Sequence, residues 1–256
     1  MTARLPIIVL AGSDPHPGAV PAELSPDAML TGPKGTILLR SGRCMAAELV
    51  ARIRASERFT EPLLLGPRHL YEGLIDCELS HVEGSMIQTL RHLTEVVQSR
   101  FGGSQPLAVV PCDVLPSGED FQRLLDEDYA PHAATMFWWQ MVQSEASAMG
   151  AGAWKPAYHL PPAPGQEPLS LYPGHLVIAR PAALRFRLMN RILELAYRFR
   201  NLVLDNRYLG MTRGILGTLA AEDLRNLVKL ELPTLTFQIP YLGLRGFFRY
   251  RRGEAT

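Results

Sequence analysis

Three uninterrupted apolar runs recur along the first half of the chain, each closed by glycine or proline: PIIVLAG (6–12), EPLLLGP (61–67) and PLAVVPCDVLP (106–116). Runs without polar alternation suit strands buried on both faces of a parallel sheet. Between them the period changes. Residues 43–56, RCMAAELVARIRAS, place Met45, Leu49 and Ile53 four apart, and 85–101, SMIQTLRHLTEVVQSRF, place Ile87, Leu90, Leu93 and Val97 on one face with Ser85 as a cap. Both spacings predict amphipathic helices. SGEDFQRLLDEDY predicts a further helix starting at Ser117 or Gly118, with acids in its first turn as the helix dipole prefers. Strands alternating with helices of this length predict an α/β fold built on a mainly parallel, doubly wound sheet.

From about residue 130 the regularity weakens. TMFWWQMV (135–142) reads as a sheet strand, YHLPPAPGQEP (158–168) as a proline-rich loop, and GHLVIARPAAL (174–184) as a strand leading into a helix that Pro181 opens. In the helix that follows, Leu188, Ile192, Leu195 and Phe199 form an apolar stripe with arginines between them, the pattern of a helix packed along one side.

At 256 residues, 47% of them hydrophobic, the chain has material for a sizeable core, as one large domain or a domain with an appendage. The apolar run near the N-terminus is too brief for a secretory leader, and no run of about eighteen apolar residues follows, which places the protein in the cytoplasm. Cys44, Cys77 and Cys112 are odd in number and lack metal-ligand spacing, so they read as reduced thiols, at least two of them packed as small hydrophobes. The net charge of +1 conceals an asymmetry: residues 180–256 hold 14 Lys and Arg against 6 Asp and Glu, residues 1–179 hold 12 against 19. The basic half suits an anionic partner; a solvated basic helix face gives the same count.

Two stretches carry candidate chemistry. Asp113 stands where the third apolar run ends, and ligands of open parallel sheets bind outside the carboxyl ends of the strands. Mg2+ takes one or two carboxylates plus substrate phosphates, so one such aspartate begins a site; a turn cap ahead of Pro116 is the alternative. After the first strand, Ala11, Gly12 and Ser13 are small where backbone has to approach a nucleotide, although neither the dinucleotide nor the P-loop motif is present. Lys34 is the only lysine of the first 150 residues and is flanked by Gly32, Pro33 and Gly35. A compact ammonium on such a loop neutralises phosphate well, while many loop lysines do nothing but face solvent.

The strand IIVLAG, the long loop to PK, the helix CMAAELVARI, the segment VEGSMIQTLRHL and the strand VVPCDVLPSGEDFQRLL together resemble nucleotidyltransferases of the glycosyltransferase-A-like fold. The likeness is to the branch with molybdenum-cofactor guanylyltransferase and the sugar-phosphate nucleotidyltransferases, also described as nucleotide-diphospho-sugar transferase-like. It covers roughly residues 5–130, and YPGHLVIARPAAL resembles the later strand beside the acceptor. The resemblance implies Mg2+-dependent transfer of a nucleoside monophosphate from an NTP to a phosphorylated small-molecule acceptor, with release of pyrophosphate. By the same resemblance Ala11, Gly12 and Ser13 contact the nucleotide, Lys34 the phosphates, Gly84 and Ser85 the base or ribose, and Asp113 the metal. Residues 1–184 then form the nucleotidyltransferase-like domain and 185–256 a helical, basic C-terminal region packed on it.

The departures are specific. Members of that group carry an arginine in the loop after the first strand, whereas SDPHPGAVPAELSPDAML has no arginine or lysine. A second metal-binding acid late in the chain has only Asp205 and Asp223 as candidates, each as well suited to a helix boundary. A glycosyltransferase using a nucleotide-sugar, or a silent binding protein of the same fold, therefore stays open. In the tail YLGLRGFFRYRRGEAT aromatics interleave with Arg245, Arg249, Arg251 and Arg252, which fits docking on the domain first, a weak contact with an anionic membrane surface second and nucleic acid last.

Overall fold

The computed structural model describes residues 4–12, 33–84, 86–101, 103–143, 158–160, 169–199, 204–230, 232–233, 235–236 and 241. The chain forms two compact units: residues 1–140 with 174–184, and residues 141–173 with 185–256.

The first unit is an α/β structure. Its strands β1 (Ile7–Leu10), β2 (Leu63–Gly66), β3 (Glu78–His81) and β4 (Leu107–Pro111) alternate with helices α1 (Met45–Ala55), α2 (Arg68–Tyr71) and α3 (Met86–Arg100). β1 pairs in parallel with β2 and with β4, and β2 pairs in parallel with β3. All four residues of β1 and all four of β2 are buried, and because successive strand residues point to opposite faces, both faces of the sheet are covered here. That is why their sequence is an unbroken apolar run. Ala46, Leu49, Val50 and Ile53 of α1 bury against the sheet side, each large residue contributing about 1.5–3 kcal/mol of apolar burial. In α3 the buried positions are Thr89, Leu93, Thr94, Val96 and Val97.

Helix α4 (Gly118–Arg123) follows β4 and opens on a reciprocal cap: Ser117 Oγ accepts from the Asp120 amide, and the Asp120 carboxylate accepts from the Ser117 amide. It widens into a π-type turn over Leu124–Tyr129, packing Leu124, Leu125 and Tyr129 into the core.

Strands β5 (Phe137–Gln143), β6 (Tyr158–Leu160) and β7 (Leu169–Ala179) complete a seven-stranded sheet of order β3-β2-β1-β4-β7-β5, with β6 beside β7. β7 runs antiparallel to β4, matching Leu107 with Ala179 and Val109 with Val177, so the sheet is mainly parallel with an antiparallel part. The fold class expected from the pattern of apolar runs is the one found. Three details differ. Tyr158–Leu160 is not loop but strand, held extended by antiparallel pairing with Leu169–Leu171, a partner that no local pattern announces; residues 161–168 lie outside the described residues. The later strand starts at Leu169 and not 174. Pro181 opens only a 3-10 turn, Pro181–Ala183, held by the Arg180 guanidinium on the Ala133 and Ser104 carbonyls, and the helix begins at Phe186.

In the second unit α5 (Phe186–Phe199) packs on α6 (Leu204–Val228), with Gly214 of α6 so close to Leu195 that a β-carbon there would meet its Cδ2 at 2.8 Å. Among the described residues no helix is long and apolar enough to cross a membrane.

Candidate functional site at the strand ends

From β1 the chain moves outward to β2 and β3, then returns to the other side of β1 as β4. The order therefore reverses between β1 and β4, whose connections leave in opposite directions, and the carboxyl ends of two such strands are where open sheets of this kind take their ligands. Ala11 and Gly12 follow β1 at this edge, and Cys112 and Asp113 follow β4.

Lys34 meets Asp113 at that edge. Its Nζ donates to Asp113 Oδ2 at 2.8 Å across 79 positions of sequence, with the side chains 57% and 29% exposed. The lysine is carried by the short turn Lys34–Thr36, closed by Thr36 N and Oγ1 on the Pro33 carbonyl and by Ile37 N on that of Lys34, and tied to the start of α1 by Met45 N on the Ile37 carbonyl. An ion pair this exposed adds at most about 1 kcal/mol to stability, so it leaves both groups available to a ligand.

The floor beneath the turn is built from close contacts. A β-carbon on Gly35 would lie 2.5 Å from the Tyr71 hydroxyl and 3.1 Å from Cys112 Sγ. Tyr71 is 1% exposed, and its hydroxyl has no hydrogen-bond partner among the described residues, a state that costs about 1–3 kcal/mol. Burial raises its pKa, with Cys112 and Cys44 adding to the effect. Burial likewise pushes the Cys112 thiol up to about 12, Asp113 reinforcing and Lys34 opposing. Neither group ionises here near neutral pH, so the charges of the site are those of Lys34 and Asp113.

Of the other residues singled out in the sequence, Ala11 is buried with its amide bonded to the Leu65 carbonyl at 2.8 Å, and Gly12 abuts Thr89 of α3. Gly84, with φ +95°, precedes α3 and follows β3, on the same edge of the sheet but without a described contact to the Lys34–Asp113 pair. Ser13 and Ser85 lie outside the described residues, as do loop residues 13–32 and tail residues 242–256. Asp223 sits inside α6, where its carboxylate accepts from the amides of Leu235 and Thr236 at 3.0 and 2.6 Å. Burial works to raise its pKa, and the hydrogen bonds from that segment outweigh it and leave the pKa lowered. Asp205 falls in the first turn of α6. Tyr71 and Thr89 were not apparent from the sequence, where Gly35 stood out only as a flank of Lys34: a tyrosine in the four-residue α2 and a threonine among leucines of α3 carry no motif.

No known family's sequence pattern matches the chain, and no curated protein does. Solved structures similar to it include a CMP:2-keto-3-deoxy-manno-octonic acid synthetase complexed with CTP, at 10% identity over 77% of this chain and 86% of that one, TM-score 0.48. A 4-diphosphocytidyl-2C-methyl-D-erythritol synthase is similar at 11% identity over 83% of this chain and 99% of that one, TM-score 0.43. The enzyme of that name from Anaerococcus prevotii DSM 20548 is similar at 8% identity over 82% and 83%, TM-score 0.42. These are likenesses in the course of the chain; the chemistry of this site rests on its own residues.

Proposed function

We propose that the protein transfers a nucleotidyl group from an NTP to a phosphorylated small-molecule acceptor and releases pyrophosphate. One observation carries the reading: a lysine and an aspartate far apart in sequence converge at the topological switch point, where a parallel sheet takes its ligands.

Asp113 fits a cation of one kind. Asp113 offers one carboxylate at the strand end, and a metal held there would share it with phosphate oxygens and water. Mg2+ binds in this way, and it would supply charge neutralisation across the triphosphate. Lys34, paired with Asp113 here, would serve the phosphate oxygens, and Asp113 would hold the metal, each group taking a new partner on binding. Ala11, Gly12 and Ser13 bring backbone against the nucleotide, and Gly84 and Ser85 line the base or ribose. A phosphate oxygen of the acceptor attacks the α-phosphorus in line; the new P–O bond forms as the bond to the β-phosphate breaks, and Lys34 offsets the charge that gathers on the leaving pyrophosphate. No protein nucleophile takes part.

The transfer is assigned to residues 1–184, with the basic region 185–256 as a secondary surface for docking its own tail or a weak anionic membrane contact. A cytoplasmic setting, with its NTP supply, fits the reaction. Calorimetric titration with the four NTPs, with and without Mg2+, tests the reading, followed by pyrophosphate release in the presence of sugar phosphates. Mg2+-dependent affinity for one NTP is expected. Binding of a nucleotide-sugar in preference to every NTP would point to glycosyl transfer, and binding without turnover to a silent relative.

A further inference from the structure

Tyr71 ends α2, directly after β2. Its ring lies against Gly66, where a β-carbon would come within 2.9 Å of Cε2, and its hydroxyl points to the strand-end edge beneath Gly35. A ring needed for packing alone is served as well by phenylalanine, which carries no hydroxyl to bury. Here the hydroxyl is buried, without a partner among the described residues, and lies against Gly35 of the turn that bears Lys34. That turn is fastened to Asp113 by an exposed ion pair, to α1 by the Met45 amide on the Ile37 carbonyl, and at Gly35 to the Cys112 thiol.

We propose that Tyr71 is a phosphate-binding group held in reserve under the Lys34 turn: when a triphosphate draws Lys34 off Asp113, the turn lifts at Gly35 and the Tyr71 hydroxyl donates to a phosphate oxygen. The inference rests on the nucleotidyl-transfer reading and adds to it a residue that recognises the phosphates and not the base. Three features agree. Gly35, itself buried, lies against the hydroxyl with no side chain between them, so a displacement of the turn at this point frees the hydroxyl. The raised pKa keeps the hydroxyl protonated and hence a donor throughout the physiological range. A hydroxyl unsatisfied in the free protein and satisfied in the complex adds its hydrogen bond to the bound state alone, which is how a buried donor contributes to affinity.

The test is Tyr71→Phe in the full chain, with thermal melting of the free protein and calorimetry against the Mg2+ complex of the preferred NTP, inorganic triphosphate and the matching nucleoside. Expected are a melting temperature no lower than that of the parent, affinity for NTP and for triphosphate reduced about tenfold, and nucleoside affinity unchanged. A lower melting temperature with unchanged triphosphate affinity would make Tyr71 a packing residue and overturn the proposal. Equal losses for nucleoside and triphosphate would overturn it as well, since the hydroxyl would then act on the pocket as a whole. If the parent protein binds its NTP and Tyr71→Phe binds it equally well, this inference alone fails; if the parent binds no NTP or triphosphate, the nucleotidyl-transfer reading fails with it.

Discussion

Gly12, at the end of β1, stands against Thr89 of α3 with no space for a side chain: a β-carbon at Gly12 would lie 2.1 Å from Thr89 Oγ1 and 3.1 Å from its Cβ. Thr89 is 1% exposed, and its Cβ as well as its Oγ1 stands in the way, so rotation about χ1 alone does not clear the space. Gly12→Ala should therefore destabilise the protein by about 1–3 kcal/mol, the usual cost of overpacking. Adding Thr89→Ala should recover most of the loss, as measured by urea unfolding of the two single variants and the double. Additive losses would show that Gly12 is needed for its backbone and not for this contact.

Asp113→Asn keeps the size of the side chain and removes its charge. The melting temperature should change little, because the ion pair is exposed, while the Mg2+-dependent part of NTP affinity disappears. Calorimetry with and without Mg2+ checks it; an unchanged Mg2+ dependence in a folded variant removes Asp113 from the site.

Lys34→Ala should act in opposite directions on two ligands. Lys34 competes with a metal for Asp113 in the free protein, so its removal should strengthen binding of Mg2+ alone, by a few-fold at most given the exposure of the pair. It should weaken NTP binding by about 1–3 kcal/mol through the lost charge-assisted contact, and nucleoside binding hardly at all. Parallel losses for NTP and nucleoside would mean that the lysine supports the turn and not the phosphates.

The expectations that held came from residues whose environment is uniform. β1, β2 and β4 show in the sequence because they are covered on both faces, and α1 and α3 because one face is covered continuously. β3 did not show: its Glu78, Leu79, Ser80 and His81 are exposed or half-buried on the sheet edge, where no apolar pattern is demanded. Asp113 and Lys34 were legible as chemistry, by strand-end position and by the glycines beside the lysine, whereas their contact depends on a turn and a sheet register that no local pattern encodes. Tyr71 was illegible for the same reason. Its significance lies in an unpartnered hydroxyl under Gly35, a property of packing between segments 36 residues apart.

Cys44 and Cys112 are buried and Cys77 partly so, all three as free thiols. Burial pushes the thiol of Cys112 up to about 12 and that of Cys77 up to about 11, so thiolate is scarce at these two positions in the folded protein at pH 8. In native protein at that pH a disulfide reagent such as DTNB should react slowly, and in denaturant all three should react at once. Bound Mg·NTP should slow any residual reaction at Cys112 in particular, because it lies directly before Asp113. Protection of Cys77 instead would place the ligand elsewhere.

Asp120 supplies a pH dependence with a defined sign. Its carboxylate accepts from the Ser117 amide at 3.0 Å and from Ser117 Oγ at 2.8 Å, and these bonds hold its pKa below the usual aspartate value. A carboxylate with a lowered folded-state pKa contributes stability that is fully present above its unfolded value of about 3.9 and is lost as pH falls through the folded value. The loss attributable to this cap should thus be confined to pH below about 4 and absent near neutrality. Ser117→Ala removes the hydroxyl that caps the Asp120 amide, and should cost about 1 kcal/mol at pH 7, the usual worth of a serine N-cap. Because the variant's Asp120 loses the hydroxyl donor and keeps the amide at position 117 and the Arg123 guanidinium, its pKa moves part of the way back toward the unfolded value, and the gap in stability between parent and variant should narrow as the pH drops from 5 to 2. Urea unfolding of both proteins across that range decides the point. A gap that stays constant with pH would show that the serine stabilises α4 through its own amide contact and leaves the carboxylate of Asp120 unaffected.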